Sequence, residues 1–569
     1  MLGASFQIGR SALAAYQAAL AVSGQNIANL ANPDYARQTG RLSALSGGPV
    51  LGGVAPGGGV RLGDLRRHVD EAVEARLRLA NGQLSANLLI SSALGQTEAI
   101  YNELTDQDVS TQLSDLLAGF SQLQAAPNEV SQRNLLVASA DGLISSFRRQ
   151  RSGVQQQVMD LNRQAKAAVD RASRITEEIA RLNVDIVAAE SDGVTVSGAL
   201  RDRRDALLRE LSGYMDVRVR EQENGSINVY VGSEPLVQFN RSRGLIVETQ
   251  LQDGLELARV RFADDRGLVN VSQGSLAGIL RARDRYMVEQ IQRLDQLAHG
   301  LIYEVNRVHS CGVGLVGYDS LQSRYAVQDA FAPLNSAAAG LPFPLENGTL
   351  LVKVRDGNSG QVVTRQIEID LDGLGGDDTT LATLAADLDA VPGIRARVLA
   401  DNRLQIDAEG GREFWFAEDS SGALAALGVA SFFTGTNAAD IDIDPNIRAD
   451  VRRIATSASG SLLDGGIAGL MAGLASPDRT SVLLNNQSIQ NFHASSMERL
   501  AVQAAAARGD AESADAIHQA LLAQRESISG VNLDEEAVNL AQYERAYQGA
   551  ARYISVLDNL TMELLALVR

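Results

Sequence analysis

The stretch Ser529-Gly530-Val531-Asn532-Leu533-Asp534-Glu535-Glu536-Ala537, with the run that follows it to Leu567, decides how the chain is put together. Asn532 followed three residues later by Glu535 is a helix start of capping-box type. The Asn oxygen can take a free backbone N–H, and the carboxylate favours the positive end of the helix. A helix is therefore predicted from about Leu533. Leu540, Tyr543, Tyr547, Ala550, Ile554, Leu557 and Leu564 recur at spacings of three, four or seven, which is one stripe of that helix. At 1.5 Å per residue it would be roughly 50 Å long, more than one small domain covers. Burying its large apolar side chains is worth on the order of 10 kcal/mol, so the stripe needs a partner.

The other end of the chain offers one. Phe6, Leu13, Leu20 and Ile27 recur every seven residues, with Tyr16 and Leu30 between them and Ala or Gly over most of the rest of that face. This is a coiled-coil pattern in which small residues allow close approach. The helix ends before the turn Asn32-Pro33-Asp34-Tyr35, because a residue preceding Pro is pushed out of the α region. Two terminal helices with apolar seams predict one discontinuous coiled-coil domain with the remainder of the chain inserted between them. The alternative is that each helix packs on its own neighbouring domain.

Gln17-Ala18-Ala19-Leu20-Ala21-Val22-Ser23-Gly24-Gln25-Asn26-Ile27-Ala28-Asn29, followed by Tyr35-Ala36-Arg37-Gln38, resembles the N-terminal signature of the bacterial flagellar axial proteins, the rod, hook and hook-associated proteins. The 529–537 stretch, with Gln542-Tyr543, Ala546-Tyr547-Gln548, Ala550-Ala551-Arg552 and Ile554-Ser555-Val556, is similar to the hook-associated members of that family. Two departures stand out: Asn32-Pro33-Asp34-Tyr35 replaces the usual Thr-Pro-Gly-Tyr, and Tyr543 stands where Phe is frequent.

The resemblance implies a structural subunit of the flagellum at the hook–filament junction, required for filament assembly. It implies self-association into a ring or helical layer, and contact with the hook protein and a second hook–filament junction protein. It also implies a flagellar export chaperone and type III export to an extracellular position without a cleaved signal. The assembly interface would draw on Phe6, Leu13, Tyr16, Leu20, Asn26, Ile27, Asn29, Tyr35, Arg37 and Gln38, and on Leu533, Leu540, Tyr543, Tyr547, Ile554, Leu557 and Leu564. The termini would be loose in the exported monomer and order when neighbouring copies bury them. A hook or distal-rod axial protein is the alternative within the family, and a cytoplasmic coiled-coil binding scaffold the alternative outside it.

Composition bounds the reading. At 569 residues and 45% hydrophobic content the chain is long enough for two to four domains. A net charge of −18 argues against a nucleic-acid or anionic-membrane binder, both of which need a basic surface. The lone Cys311 excludes an internal disulfide framework and disfavours a structural zinc site. The longest apolar runs, such as Ala423 to Phe433, fall short of the roughly 20 residues a membrane span needs. The N-terminus lacks a basic cluster before an apolar core, so no cleavable signal peptide is expected.

Between the ends, the Gly-rich Leu45 to Gly63 lacks the Lys-Ser/Thr of a phosphate loop and reads as a connector or turn-rich β segment. Helices are predicted from Asp64 to about Leu104 (Val69, Val73, Leu77, Leu84, Leu88) and from Val109 to Gln124. The most regular repeat follows, from Asn128 to Ala189. Phe147, Val154, Leu161, Ala168, Ile175, Leu182 and Ala189 hold one heptad position, and Val158, Ala165, Ala172, Ile179 and Ile186 a second. Arg148, Arg149 and Arg151 read as a solvated or salt-bridged face of that helix.

After a helix at Ala199 to Leu211 the period switches to two around Asn224-Gly225, a hairpin signal, with strands continuing to Val271. Ser275 to His309 returns to helix. The order of strands and helix from Leu351 to Phe416 reads as an α+β insertion. Ser476 to Ser529 reads as helix, with Leu483, Ile489, Phe492, Met497, Leu500, Val502, Ile517 and Leu521 as apolar positions.

The predicted fold class is mainly α with inserted β and α+β modules. Residues 1–44 and 529–569 would form the terminal coiled-coil assembly domain, and 45–212, 272–315 and 456–528 a helical bundle. Residues 213–271 would be a β-rich segment and 316–455 an outer α+β module. No catalytic constellation is present: His68, His299, His309, His493 and His518 lack metal or triad spacing. Asp440, Asp442 and Asp444 begin like a calcium loop, but Pro445 and Val451 occupy the positions of its Gly and bidentate Glu. A non-enzyme with no cofactor or metal is expected.

Overall fold

The computed structural model describes residues 2–46, 57–101, 108–191, 196–252 and 254–567. The chain begins with helix α1 (Leu2–Ala28), closed by a turn in which the Asp34 N–H donates to Asn32 Oδ1 at 3.1 Å. An antiparallel hairpin follows, β1 (Gln38–Ala44) with β2 (Val60–Arg67). Residues 47–56, the centre of the Gly-rich stretch, lie outside the described residues. Helix α2 (Glu71–Tyr101) starts later than its apolar pattern suggests, because 64–67 belong to β2 and Asp70 caps the helix by accepting from the Ala72 and Val73 N–H groups.

Helix α3 (Val109–Ala125) is capped by Asp108, and α4 (Val130–Ala189) is the long heptad helix. Both of its predicted heptad sets are buried, from Phe147 to Leu182 and from Val158 to Ile186; only Ala189 at the end is exposed. After α5 (Gly198–Tyr214), the strands β3 (Arg218–Glu221), β4 (Ile227–Val231), β5 (Glu234–Gln238) and β6 (Arg241–Ser242) form one antiparallel meander in that order. Gly225 adopts a φ of 80° in the β3–β4 turn, which explains the Asn-Gly signal there. Strands β7 (Leu245–Gln252) and β8 (Leu255–Phe262) form a separate hairpin.

The predicted Ser275–His309 helix is interrupted. Helix α6 (Gly274–Arg281) passes through a π-helical turn at Ala282–Met287 before α7 (Val288–His309). The α+β segment holds β9 (Ser320–Gln322), β10 (Gly348–Asp356), β11 (Val362–Ile369), α8 (Leu381–Asp389), β12 (Ile394–Val398), β13 (Leu404–Ala408) and β14 (Arg412–Asp419). Its two sheets have the orders β11-β10-β14 and β12-β13-β9. Short helices α9 (Ala423–Leu427), α10 (Pro445–Ala449) and α11 (Gly466–Ala472) lead to α12 (Ile489–Ser529) and α13 (Leu533–Leu567).

Residues 476–488 are not the α-helix expected of them. Pro477 and the left-handed Asn485 and Asn486, with φ of 56° and 58°, hold irregular backbone there. Along α12 the expected apolar positions Val502 and Ile517 are exposed, while Ala504, Ala507, Ala511 and Ala514 form the buried seam. Leu88 of α2 is likewise exposed.

The chain divides into two compact units. The first comprises Met1–Ala93, Met159–Asp284 and Ala505–Arg569, and the second Leu94–Val158 and Arg285–Ala504. In the first, Asn183 of α4 donates to the carbonyls of Ile227 and Phe239 and accepts from the Ile227 N–H, so one buried amide fixes the meander against the helix.

The second unit has two apolar cores. One gathers α3, the start of α4, α7 and α11 around Phe120, Phe147 and Phe432; the other lies between the two three-stranded sheets and α8. His309 is fully buried in the first of these. The Ala455 N–H donates to its Nε2 at 3.0 Å, so Nδ1 carries the proton and donates to the Ala430 carbonyl at 2.8 Å. Asp440, Asp442 and Asp444 are spent on local structure: Asp440 accepts from the Thr436 and Asn437 N–H groups, Asp442 pairs with Arg148 and Arg448, and Asp444 pairs with Arg324 and caps α10.

Candidate functional site: the locked terminal hairpin

The first unit joins the two ends of the chain. Helix α1 lies antiparallel to α13, with Gly9 against Ile554 at one end and Arg37, just after α1, against Glu535 and Glu536 at the other. The large seam residues of α1 are not its innermost ones. Ala15, Ala19, Ser23 and Asn26 are buried, while Phe6, Leu13, Tyr16, Leu20 and Ile27 are half-buried on a flank roughly a quarter of a turn away. Small side chains let the backbones approach, so the smallest face lies deepest.

On α13, Leu540, Tyr543, Tyr547 and Ile554 are half-buried and Leu557 is buried, whereas Leu533 and Leu564 are exposed. A second apolar stripe, Tyr553, Val556, Leu560 and Leu564, stays open to solvent at 41%, 55%, 45% and 49% exposure.

A polar lock closes the hairpin where the signature residues meet. The Asn26 side chain behaves as a short strand partner to Gln38: its Nδ2 donates to the Gln38 carbonyl at 2.9 Å and its Oδ1 accepts the Gln38 N–H at 3.0 Å. The same oxygen accepts from the Tyr35 hydroxyl at 2.7 Å. Burial, then the nearby Asp202 and Glu536 carboxylates, push the Tyr35 hydroxyl up to about 12, so it remains a donor. The Arg37 N–H donates to the Ser529 carbonyl at 2.9 Å, and its guanidinium reaches Glu536 at 2.9 Å and Glu535 at 2.7 Å.

These partners lie 499 and 498 residues apart in sequence. Asn532 caps α13 as expected, accepting from the Asp534 N–H, but Glu535 turns to Arg37. Next to the lock, Glu74 is buried between Arg209 and Arg525, which also hold Asp34 and the Pro33 carbonyl. Burial lowers His68, with Arg37 and Arg66 adding to the effect, so its imidazole is neutral beside the Thr39 hydroxyl.

Asn26, Tyr35, Arg37 and Gln38 are thus engaged within one chain, while Asn29 donates to the Gln25 carbonyl of its own helix. Sequence reading missed Glu74, Arg209, Arg525 and Glu536, charged residues without local periodicity. Of these, Glu536 stood inside a quoted motif and could have been found. It also passed over Asp370, Asp372 and Asp378, whose carboxylate oxygens come within 4.8 Å of one another on an exposed turn.

The two ends of one chain thus form a hairpin whose α13 keeps an apolar stripe open to solvent, and no helix among the described residues is long and apolar enough to cross a membrane. Residues 523–567 match the flagellar basal body rod FlgEFG C-terminal family, and residues 94–321 match the flagellar hook-associated protein FlgK helical domain family. Both matched stretches are thus similar to flagellar axial proteins, the longer one to the hook-associated protein FlgK.

The chain is 24% identical over 571 residues to flagellar hook-associated protein 1 of Escherichia coli K12, covering 96% of each chain. It is 25% identical over 338 residues to the Bacillus subtilis protein of that name, covering 53% of this chain and 66% of the relative. In fold it is similar to the flagellar hook junction protein FlgK from Burkholderia pseudomallei, with a TM-score of 0.50, 15% identity, and coverage of 80% of this chain and 100% of that one.

Proposed function

We propose that the chain is the structural subunit that joins hook to filament and on which the filament is built. The observation that carries this reading is the exposed α13 stripe of Tyr553, Val556, Leu560 and Leu564 beside a hairpin already closed from within. An apolar stripe of this length on a chain similar to flagellar axial proteins is a surface for neighbouring copies. Residues 1–44 and 529–569 act as the assembly domain. Phe6, Leu13, Tyr16, Leu20 and Ile27 on the flank of α1 join Leu533, Leu540, Tyr543, Tyr547, Ile554 and Leu564 in the contact, which Leu557, buried within the chain, backs from inside. Asn26, Asn29, Tyr35, Arg37 and Gln38 set the shape that is presented.

The helical segments set the spacing between subunits, and the β-rich segments 213–271 and 316–455 are dispensable for the terminal contacts. The subunit forms a ring or short helical layer with heterologous contacts, which a joint between two different tubes requires. Its neighbours are the hook protein and a second hook–filament junction protein. It leaves the cell through the flagellar type III apparatus, escorted by an export chaperone, and catalyses nothing.

Electron microscopy of cells carrying an in-frame deletion of the gene, with a blot of the medium for filament protein, tests the reading. Bare hooks and filament subunits lost to the medium are expected. Normal filaments would refute it and favour a cytoplasmic scaffold.

A further inference from the structure

The two edges of the sheet β11-β10-β14 in the second unit are finished differently. Beyond β14, Phe414 exchanges two backbone bonds with Tyr318, each 2.9 Å long, and the β10–β14 register shifts between Leu351 and Val352. The neighbouring sheet is guarded as well: the Asp389 carboxylate accepts the Ala396 N–H at the rim of β12, and Arg395 and Arg397 pair with Glu409 and Asp407 along it. Strand β11 has no such guard. Its eight residues pair with β10 in unbroken register, contain no Pro, and make no backbone bond on their far side among the described residues. Half of them therefore turn an N–H and a C=O toward solvent.

The side chains run off the same edge. Tyr318, Phe414, Val354 and Val363 lie across the sheet in one row on its core face, and Phe416, Val352 and Arg365 lie in the next. Tyr318, Phe414 and Val354 are buried, but Val363, at the end of its row, is 41% exposed. Arg365 is exposed and forms no ion pair among the described residues. Ile367, two residues further along this face, is buried again. The apolar core thus stops short at one point of β11, beside an unpaired cation.

We infer that the open edge of β11 receives an extended segment of another protein as a further strand, with an apolar side chain beside Val363 and a carboxylate beside Arg365. Backbone pairing supplies the attachment, and the alternate side chains supply the selection. The apolar group and the carboxylate fall two residues apart on one face of the added strand. A second copy of β11 does not meet this pattern. Its one acid, Glu368, lies on the opposite face from Arg365, so a pair whose core faces match never sets a carboxylate against the guanidinium. The contact does not depend on how the terminal hairpin assembles.

The test uses the full-length chain and an acetylated, fluorescently labelled peptide, Lys-Ile-Thr-Asp-Thr-Val-Thr. Its antiparallel register sets Val against Val363, Asp against Arg365, Ile against Ile367 and Lys against Glu368. Saturable binding, read by fluorescence anisotropy, is expected. Arg365→Glu should weaken it about fivefold, and a peptide with Arg in place of its Asp should recover binding to that variant. N-methylation of one alternate set of peptide residues should abolish binding and of the other set leave it, because only one edge of the added strand pairs.

No saturable binding up to millimolar peptide, or equal effects of the two methylated sets, would overturn the added strand. Binding that ignores Arg365→Glu would overturn the selection by charge. A full-length chain that dimerises in sedimentation and becomes monomeric in Val363→Lys would assign the edge to a second copy and overturn the partner.

Discussion

Gly9 of α1 faces Ile554 of α13 so closely that a Cβ at position 9 would lie 2.6 Å from Ile554 Cγ1. The hairpin therefore depends on a missing side chain. Gly9→Val forces the helices apart and costs roughly 1–3 kcal/mol by overpacking. Limited proteolysis should show α1 and α13 released together, and the shortened Gly9→Val/Ile554→Ala pair should recover part of the protection. Unchanged protection in Gly9→Val would mean the helices are not in contact.

Asn26→Ala removes both bonds to the Gln38 backbone and leaves the Tyr35 hydroxyl buried without an acceptor. The loss expected is about 2–4 kcal/mol, against about 1 kcal/mol for Tyr35→Phe, which removes one bond and strands nothing charged. Amide hydrogen exchange at Gln38 reads the difference: it should accelerate strongly in the first variant and slightly in the second.

Arg37→Ala leaves Glu536, whose side chain is 1% exposed, as a buried carboxylate without its cation. This should cost about 3–5 kcal/mol, whereas Arg37→Ala combined with Glu536→Gln should cost clearly less, because the stranded charge is gone. Exchange rates in the first turns of α13 follow the two variants; additive losses would show that the pair is not coupled.

His309 fixes a pH window. Burial, the largest cause, lowers its pKa to about 4 from 6.5. Above about 6.5 neither folded nor unfolded chain binds a proton there. As pH falls below 6.5 the unfolded chain protonates first, so stability is lost until the folded imidazole also protonates near 4. The loss is about 3 kcal/mol over that window. His309→Gln should flatten the pH slope of unfolding of the second unit between pH 7 and 5; an unchanged slope would mean that carboxylates alone produce it.

Cys311 lies half-buried against its own helix, its thiol pushed up to about 12 mainly by burial. At pH 8 it should react with Ellman's reagent roughly a thousandfold more slowly than a free cysteine, and at the ordinary rate once the chain is unfolded in denaturant. Fast reaction of the folded chain would place the thiol in solvent.

Local chemistry written along the chain was enough to define much of this molecule. The heptads of α4, the Asn532 cap of α13, the Asn32-Pro33 stop after α1 and the Asn224-Gly225 hairpin are short-range patterns, and each appears where its residues predict it. The pairing of the two ends was legible too, because each terminal helix carries an apolar stripe and the motifs at both ends resemble those of one family.

Only the tertiary structure decided which faces close. Periodicity ranks large side chains as the seam, but the distance between two helix backbones is set by the smallest residues, so Ala15, Ala19 and Ser23 lie deeper than Leu13 and Leu20, and alanines replace Val502 and Ile517 along α12. Strand β1 exists only because β2 pairs with it, and 476–488 leave the helix because Pro477 and two left-handed Asn residues turn the backbone. The bonds of Arg37 to Glu535 and Glu536 span almost the whole chain, and Asn26 acts as a strand partner through its side chain. No local rule encodes a charge pair or an amide contact whose partners meet only after the fold has brought them together.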